Sequence, residues 1–129
     1  MVAFDTNVLV RILVGDDPSQ TKRAERAFLE HAKGQGIFVS MIVLAEVAWV
    51  LSAAYEWDRA TIHDRLSRLV RTRGVILEEI ELVEGALAQY AVGPADFADY
   101  LVLGKAQSVG ASLLTFDKRL GRAEGARLL

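Results

Sequence analysis

The chain has 129 residues, 52% of them apolar, which is enough for one core without covalent staples. It contains no cysteine, which excludes disulfides, thiolate nucleophiles and Cys-ligated zinc or iron–sulfur centres and suits a reducing cytoplasm. The formal net charge of -2 gives no overall attraction to nucleic acid, so any grip on a polyanion has to be local.

In chain order, Val2-Ala3-Phe4 is a short apolar run that stops at Asp5-Thr6-Asn7. A buried strand is expected there, followed by a turn into a short helix over 8–14. An acid at position 5 stands where a signal peptide would be basic, so none is read. Gly15-Asp16-Asp17-Pro18 is a break, with Asp17 as N-cap of the next helix, Pro18 in its first turn and Gln20 at the capping-box position. Gly34-Gln35-Gly36 ends that helix, and Ile37-Phe38-Val39 reads as a strand.

Ser40 caps a helix expected over 41–55, an apolar stretch too short to span a bilayer. Asp58 caps another, with Ile62, Leu66, Leu69 and Val70 at helical spacing. Arg59, Arg65, Arg68, Arg71 and Arg73 crowd this segment, a local basic patch of the kind that grips phosphates. Val75-Ile76-Leu77 is a strand trailing into Glu78, Glu79 and Glu81, charges that suit a sheet edge. Helices over 82–91 and 95–109 flank Gly93-Pro94; a strand over 112–116 ends at Asp117, and 126–129 forms a last short strand. With no repeat, linker or low-complexity stretch, one soluble cytoplasmic domain over 1–129 is expected.

Strands alternating with helices imply an α/β fold, a mainly parallel sheet with helices on both faces. In such sheets sites form where strands deliver their carboxyl ends, and two strands here end in an aspartate, Asp5 and Asp117.

Glu46 is the most informative acid. It sits among Ile42, Val43, Leu44, Val47, Trp49, Val50 and Leu51, so the helix reads as apolar all round and therefore buried. A carboxylate there needs a partner, either a cationic side chain or a metal. Asp96 and Asp99 share a helix face. Asp96 falls in the first turn, where acids cap, whereas Asp99 lies further in. Asp5 and Asp117 each have a capping role available. Taken together, carboxylates converging on one end of a sheet repel unless a cation lies between them. Oxygen ligands without His or Cys select Mg²⁺ or Mn²⁺, the ions of phosphoryl chemistry. Thr6, Asn7, Ser40 and Thr115 adjoin these acids as auxiliary groups. There is no glycine-rich phosphate loop, and the two histidines, His31 and His63, lie in charged helices.

Four segments, Asp5-Thr6-Asn7 with Val8-Leu9-Val10-Arg11, Ser40 to Glu46, Asp96-Phe97-Ala98-Asp99 and Leu114-Thr115-Phe116-Asp117, occur in order along the chain. In this order they resemble PIN-domain ribonucleases, especially the VapC toxins of bacterial toxin–antitoxin pairs. The resemblance implies a three-layer α/β/α sandwich around a five-stranded parallel sheet, and a Mg²⁺- or Mn²⁺-dependent endoribonuclease. Asp5, Glu46 and Asp99 match the family's core acids and metal ligands, and Asp117 the more variable fourth. Asp96, Thr115 and Asn7 match its auxiliary positions. A homodimer and a small antitoxin laid across the site are the implied partners, with Trp49, Tyr55 and Trp57 as contact candidates. Arg11, Lys105 and Lys118 are candidates for holding RNA. Three rivals stand beside this reading. A phosphoacceptor signalling domain needs paired acids after the first strand, where this chain has Asp5 alone. An inert PIN-like binding module would have no use for a full set of repelling acids. A hydrolase of small phosphorylated compounds is separated from a nuclease by the resemblance alone.

Overall fold

Short polar side chains that accept backbone N–H groups decide where the helices begin. In the computed structural model, which describes residues 1–129, helix α1 (Thr6–Val14) follows Asp5, whose Oδ1 accepts the Val8 N–H at 3.1 Å. Helix α2 (Pro18–Lys33) follows Asp17, whose Oδ1 accepts from Gln20 N at 3.0 Å. Ser40 Oγ accepts from Val43 N at 3.2 Å to open α3 (Met41–Ala53), and Asp58 Oδ1 from Thr61 N at 2.8 Å to open α4 (Arg59–Arg71). Each satisfies an N–H that has no intrahelical partner. The capping box expected at Gln20 does not close, because that side chain accepts instead from Arg11 Nε at 2.6 Å.

The chain forms two compact units, Met1–Glu78 and Glu79–Leu129. In the first, strands β1 (Val2–Ala3), β2 (Ile37–Val39) and β3 (Val75–Leu77) pair in parallel in that order. Ile37 lies opposite both Val2 and Val75. Each crossover is a helix pair, α1–α2 and then α3–α4, long enough to return the chain to a parallel strand. The core gathers Leu9 and Val10 of α1, Ile37 and Val39 of β2, Leu44, Val47 and Leu51 of α3, and Leu66 of α4.

The second unit packs α5 (Ile80–Val92) on α6 (Phe97–Ser108) around Val83, Leu87, Tyr90, Phe97 and Leu103. The Tyr90 and Phe97 rings meet edge to face, centroids 6.0 Å apart. Strands β4 (Leu113–Thr115) and β5 (Ala126–Leu128) pair in parallel, joined through a 3-10 turn at Leu120–Arg122. The five parallel strands expected from the sequence are thus present, hydrogen-bonded as a set of three and a set of two. No helix is long and apolar enough to cross a membrane.

Helix α3 differs from expectation. Leu44, Val47, Ala48 and Leu51 are buried, but Ile42 is 73% exposed, Trp49 is 69% exposed, and Glu46 lies on the exposed side between them. An apolar composition on every side reads as full burial, yet here one face meets the core and the other meets solvent. The acids after β3 also do more than blunt an edge. Glu78 Oε1 accepts the Met41 N–H at 3.2 Å, placing negative charge at the start of α3, and Glu79 pairs with Lys105.

Gly74 opens β3 with φ +93, and its carbonyl accepts from Ile37 N at 2.8 Å. A Cβ at this position would come within 2.6 Å of the Ala32 carbonyl oxygen on α2. Gly74→Ala is therefore expected to destabilise the protein by at least about 2 kcal/mol, combining a left-handed backbone with a clash. A urea midpoint equal to that of the wild type would show that the turn tolerates a side chain.

Candidate active-site carboxylates

Within the first unit, the end of β1 and the cap of α1 fix Asp5. Its Oδ1 is engaged by Val8 N–H, which leaves Oδ2 for a further partner. Thr6 and Asn7 begin the helix, and a cavity of about 550 Å³ is lined by Asp5 and Asn7 together with Phe4, Val8 and Arg23. Glu46 lies in the second turn of α3, a helix that packs on α1. Its carboxylate is exposed, so the inference that burial forces a partner on it does not hold. Ser40 contributes through its capping hydroxyl.

Within the second unit, Asp96 precedes α6 and its N–H donates to Asp99 Oδ2 at 3.1 Å. Asp99 is half-buried. Burial pushes its carboxyl above the usual carboxylate range, and the nearby Asp96 and Asp117 charges push the same way; the Asp96 N–H and the Arg119 guanidinium oppose them. Asp117 ends the β4 segment and caps the following turn: its Oδ1 accepts from Arg119 N at 2.8 Å and Leu120 N at 3.1 Å. Those two N–H groups hold its carboxyl below the ordinary value. Thr115 Oγ1 accepts the Asp117 N–H at 3.0 Å, so the hydroxyl residue before this acid fixes its backbone. Asp96, Asp99 and Asp117 therefore share one electrostatic neighbourhood. Neither unit by itself groups three His, Asp or Glu side chains closely enough to hold a metal ion.

The basic side chains are distributed differently from the sequence reading. Arg11 donates to Gln20 and reaches Asp16 at 3.5 Å and Tyr55 Oη at 3.4 Å, while the Tyr55 hydroxyl donates to Asp16 at 2.7 Å. This network ties α1 to the start of α2 and to the segment after α3, so Arg11 is engaged internally. Lys105 is paired with Glu79 at 2.8 Å. In the arginine-rich segment, Arg65 donates to the Leu13 carbonyl at 2.9 Å and lies 5.3 Å from the Trp57 ring centroid, and Arg68 pairs with Asp64 at 3.1 Å. Lys118 is exposed beside Asp117. The cation that does meet a site acid is Arg119, whose Nη2 lies 3.7 Å from Asp117 Oδ2. Sequence reading passed over it because it lies within a turn and resembles any solvated arginine.

The opposite environments of Asp99 and Asp117 fix the sign of their contributions. Protonation of Asp99 favours the fold: its contribution is full below the unfolded value of 3.8 and is lost as pH rises through the raised folded value. Asp117 contributes above 3.8 and loses that contribution as pH falls through its depressed value. Carboxyl carbon NMR titration is expected to show Asp99 titrating above 3.8 and Asp117 below it. Correspondingly, Asp99→Asn at pH 7 should not lower the urea midpoint, whereas Asp117→Ala should. The reverse order of titration would contradict this assignment.

The PIN-domain family model matches residues 2–126. A VapC ribonuclease of Aquifex aeolicus (strain VF5) is 26% identical over 121 residues, covering 92% of this chain and 89% of the relative. Among solved structures, a sarcin–ricin-loop-cleaving VapC toxin of Mycobacterium tuberculosis is 20% identical, with 96% of this chain and 95% of that chain covered and a TM-score of 0.44. A toxin–antitoxin complex from Klebsiella pneumoniae gives 21% identity, 98% and 95% coverage and a TM-score of 0.40. A VapBC pair of Rickettsia felis, bound to a DNA fragment from their promoter, gives 20% identity, 100% and 98% coverage and a TM-score of 0.42. The match runs through both units and takes in every acid described above, and the chain belongs to the PIN-domain family.

Proposed function

We propose that this chain is a divalent-metal-dependent endoribonuclease acting as the toxin of a toxin–antitoxin pair, with Asp5, Glu46, Asp99 and Asp117 as its working carboxylates. The observation that carries this reading is the family match over 2–126, which includes all four acids. The Aquifex aeolicus relative, named as a ribonuclease, supports RNA as the substrate. One match through both units also supports reading residues 1–129 as a single nuclease domain.

The donor set fits Mg²⁺ or Mn²⁺. All four groups are hard carboxylate oxygens, with no thiolate or imidazole among them. Asp99 disfavours its own charge through burial and neighbouring acids, a strain that a cation relieves. A divalent ion held by these acids supplies positive charge against the phosphodiester and makes water a better nucleophile. The chain's own residues set the geometry. The capping bonds on Asp5 and Asp117 prevent either carboxylate from swinging, and the Asp96 N–H fixes one oxygen of Asp99. Thr115 holds the backbone of Asp117, and Ser40 the start of the helix that carries Glu46. Thr6 and Asn7 stand beside Asp5 as auxiliary groups.

Protein partners belong to the same reading. Ile42 and Trp49 flank Glu46 on the exposed face of α3, large apolar side chains of the kind that a second copy or an antitoxin covers. Tyr55 and Trp57 are engaged with Asp16 and Arg65, so among the three aromatic candidates Trp49 is the one presented to a partner. A cytoplasmic location accords with the RNA substrate and the lack of cysteine. The second reading, an inert PIN-like binding module, draws support from the lack of a three-acid group within either unit.

Cleavage of single-stranded RNA separates the two. Wild-type protein with Mg²⁺ or Mn²⁺ should cut, and chelation should stop it. Asp5→Ala, Glu46→Gln or Asp99→Asn should each lower the rate at least about 100-fold with an unchanged circular dichroism spectrum, the scale of loss for one electrostatic group at a reacting centre. Cutting that survives chelation in a clean preparation would refute the metal mechanism.

A further inference from the structure

The second unit holds a cavity of about 370 Å³ between the corner joining α5 to α6 and the turn after β4. The geometry points to this cavity as an RNA subsite, in which Arg119 and Arg122 grip a backbone phosphate adjoining the one that is cut. The inference rests on the ribonuclease reading and adds to it the place where the substrate strand is held.

Four observations carry it. Both arginines line the cavity, and Arg119 also lies 3.7 Å from Asp117 and acts electrostatically on Asp99, so one lining arginine reaches the acids of this unit. An acidic site repels a polyanion, and guanidinium forks beside it supply attraction in a geometry that matches phosphate oxygens. The walls are preformed: buried Tyr100 accepts the Ala95 N–H at 3.2 Å, and a Cβ on Gly93 would overlap its hydroxyl. Val92 and Pro94 add an apolar wall for a sugar or base, and a volume near the lower end of small-ligand sites suits one unpaired nucleotide rather than a duplex. Glu124 also lines the cavity, and it narrows the anion-accepting part to the side of the two arginines.

The test compares wild type, Arg122→Ala and Arg122→Lys, because Arg122 is exposed and does not pair with Asp117. Fluorescence anisotropy with labelled single-stranded RNA in the presence of EDTA reads binding without cleavage, over a range of salt. Arg122→Ala should raise Kd about tenfold, equally on oligouridine and oligoadenosine, because a phosphate contact carries no base information. It should reduce the slope of log K against log salt by about 0.7. Arg122→Lys should keep the slope and recover part of the affinity. In cleavage assays Arg122→Ala should raise KM more than it lowers kcat. If wild type cuts RNA and Arg122→Ala matches it in Kd, slope and KM, the subsite is refuted and the nuclease reading stands. If wild type does not cut but binds RNA with the same dependence on Arg122, the subsite stands and the nuclease reading fails. An effect confined to one base type would replace phosphate grip with base recognition and overturn the assignment. Wild type that cuts RNA with Mg²⁺ but does not bind it in EDTA would overturn the subsite alone, and wild type that neither binds nor cuts would overturn both.

Discussion

Asp5 and Asp117 each follow a short strand, β1 and β4, that is only partly buried, at the point where the chain leaves its sheet and must turn. The N–H groups exposed at that point need an acceptor, and a short carboxylate supplies one: Asp5 for Val8, and Asp117 for Arg119 and Leu120. The bonds that start the next element also hold the carboxylate at the strand's end with one oxygen engaged. The backbone thus fixes where negative charge is presented, and the rest of each unit is arranged around that requirement. Thr115 anchors the turn at Asp117, and β1 is held to β2 by Val2 and Phe4 N–H groups donating to Gly36 and Phe38.

Concentrated negative charge sets the second constraint. Asp99 is less comfortable as an anion than an isolated aspartate, while Asp117 is more so, because one is partly desolvated beside acids and the other accepts two N–H bonds. This separation means that the acids are not equivalent. Asp99 gains most from a cation, and Asp117 stays ionised without one. Arg119 touches this balance from the edge of the neighbouring cavity, so the group that moderates the acids also faces a place where a phosphate can lie.

Much of this was legible in the sequence wherever the physics is local. Capping residues at Asp5, Asp17, Ser40 and Asp58 marked four helix starts, since the bond runs only three residues. The strands at 37–39 and 75–77 were legible from apolar runs between turn residues. The acids were legible by their positions and by a family pattern. Burial was not: α3 reads as apolar all round, yet Glu46, Ile42 and Trp49 face outward, because composition does not say which apolar face finds a partner. Nor were the duties of the cations. Arg11, Lys105 and Arg65 are engaged by Gln20, Glu79 and the Leu13 carbonyl, contacts that depend on tertiary approach. The division of five parallel strands into three and two likewise follows from pairing rather than from any segment's own pattern.

The central claim is that these acids hold a divalent cation, and isothermal titration calorimetry with Mn²⁺ at neutral pH tests it most directly. The account predicts saturable binding to the wild-type chain and its loss in Asp99→Asn, with both proteins folded. A well-folded wild type that takes up no Mn²⁺, or an Asp99→Asn variant that binds as the wild type does, would contradict it.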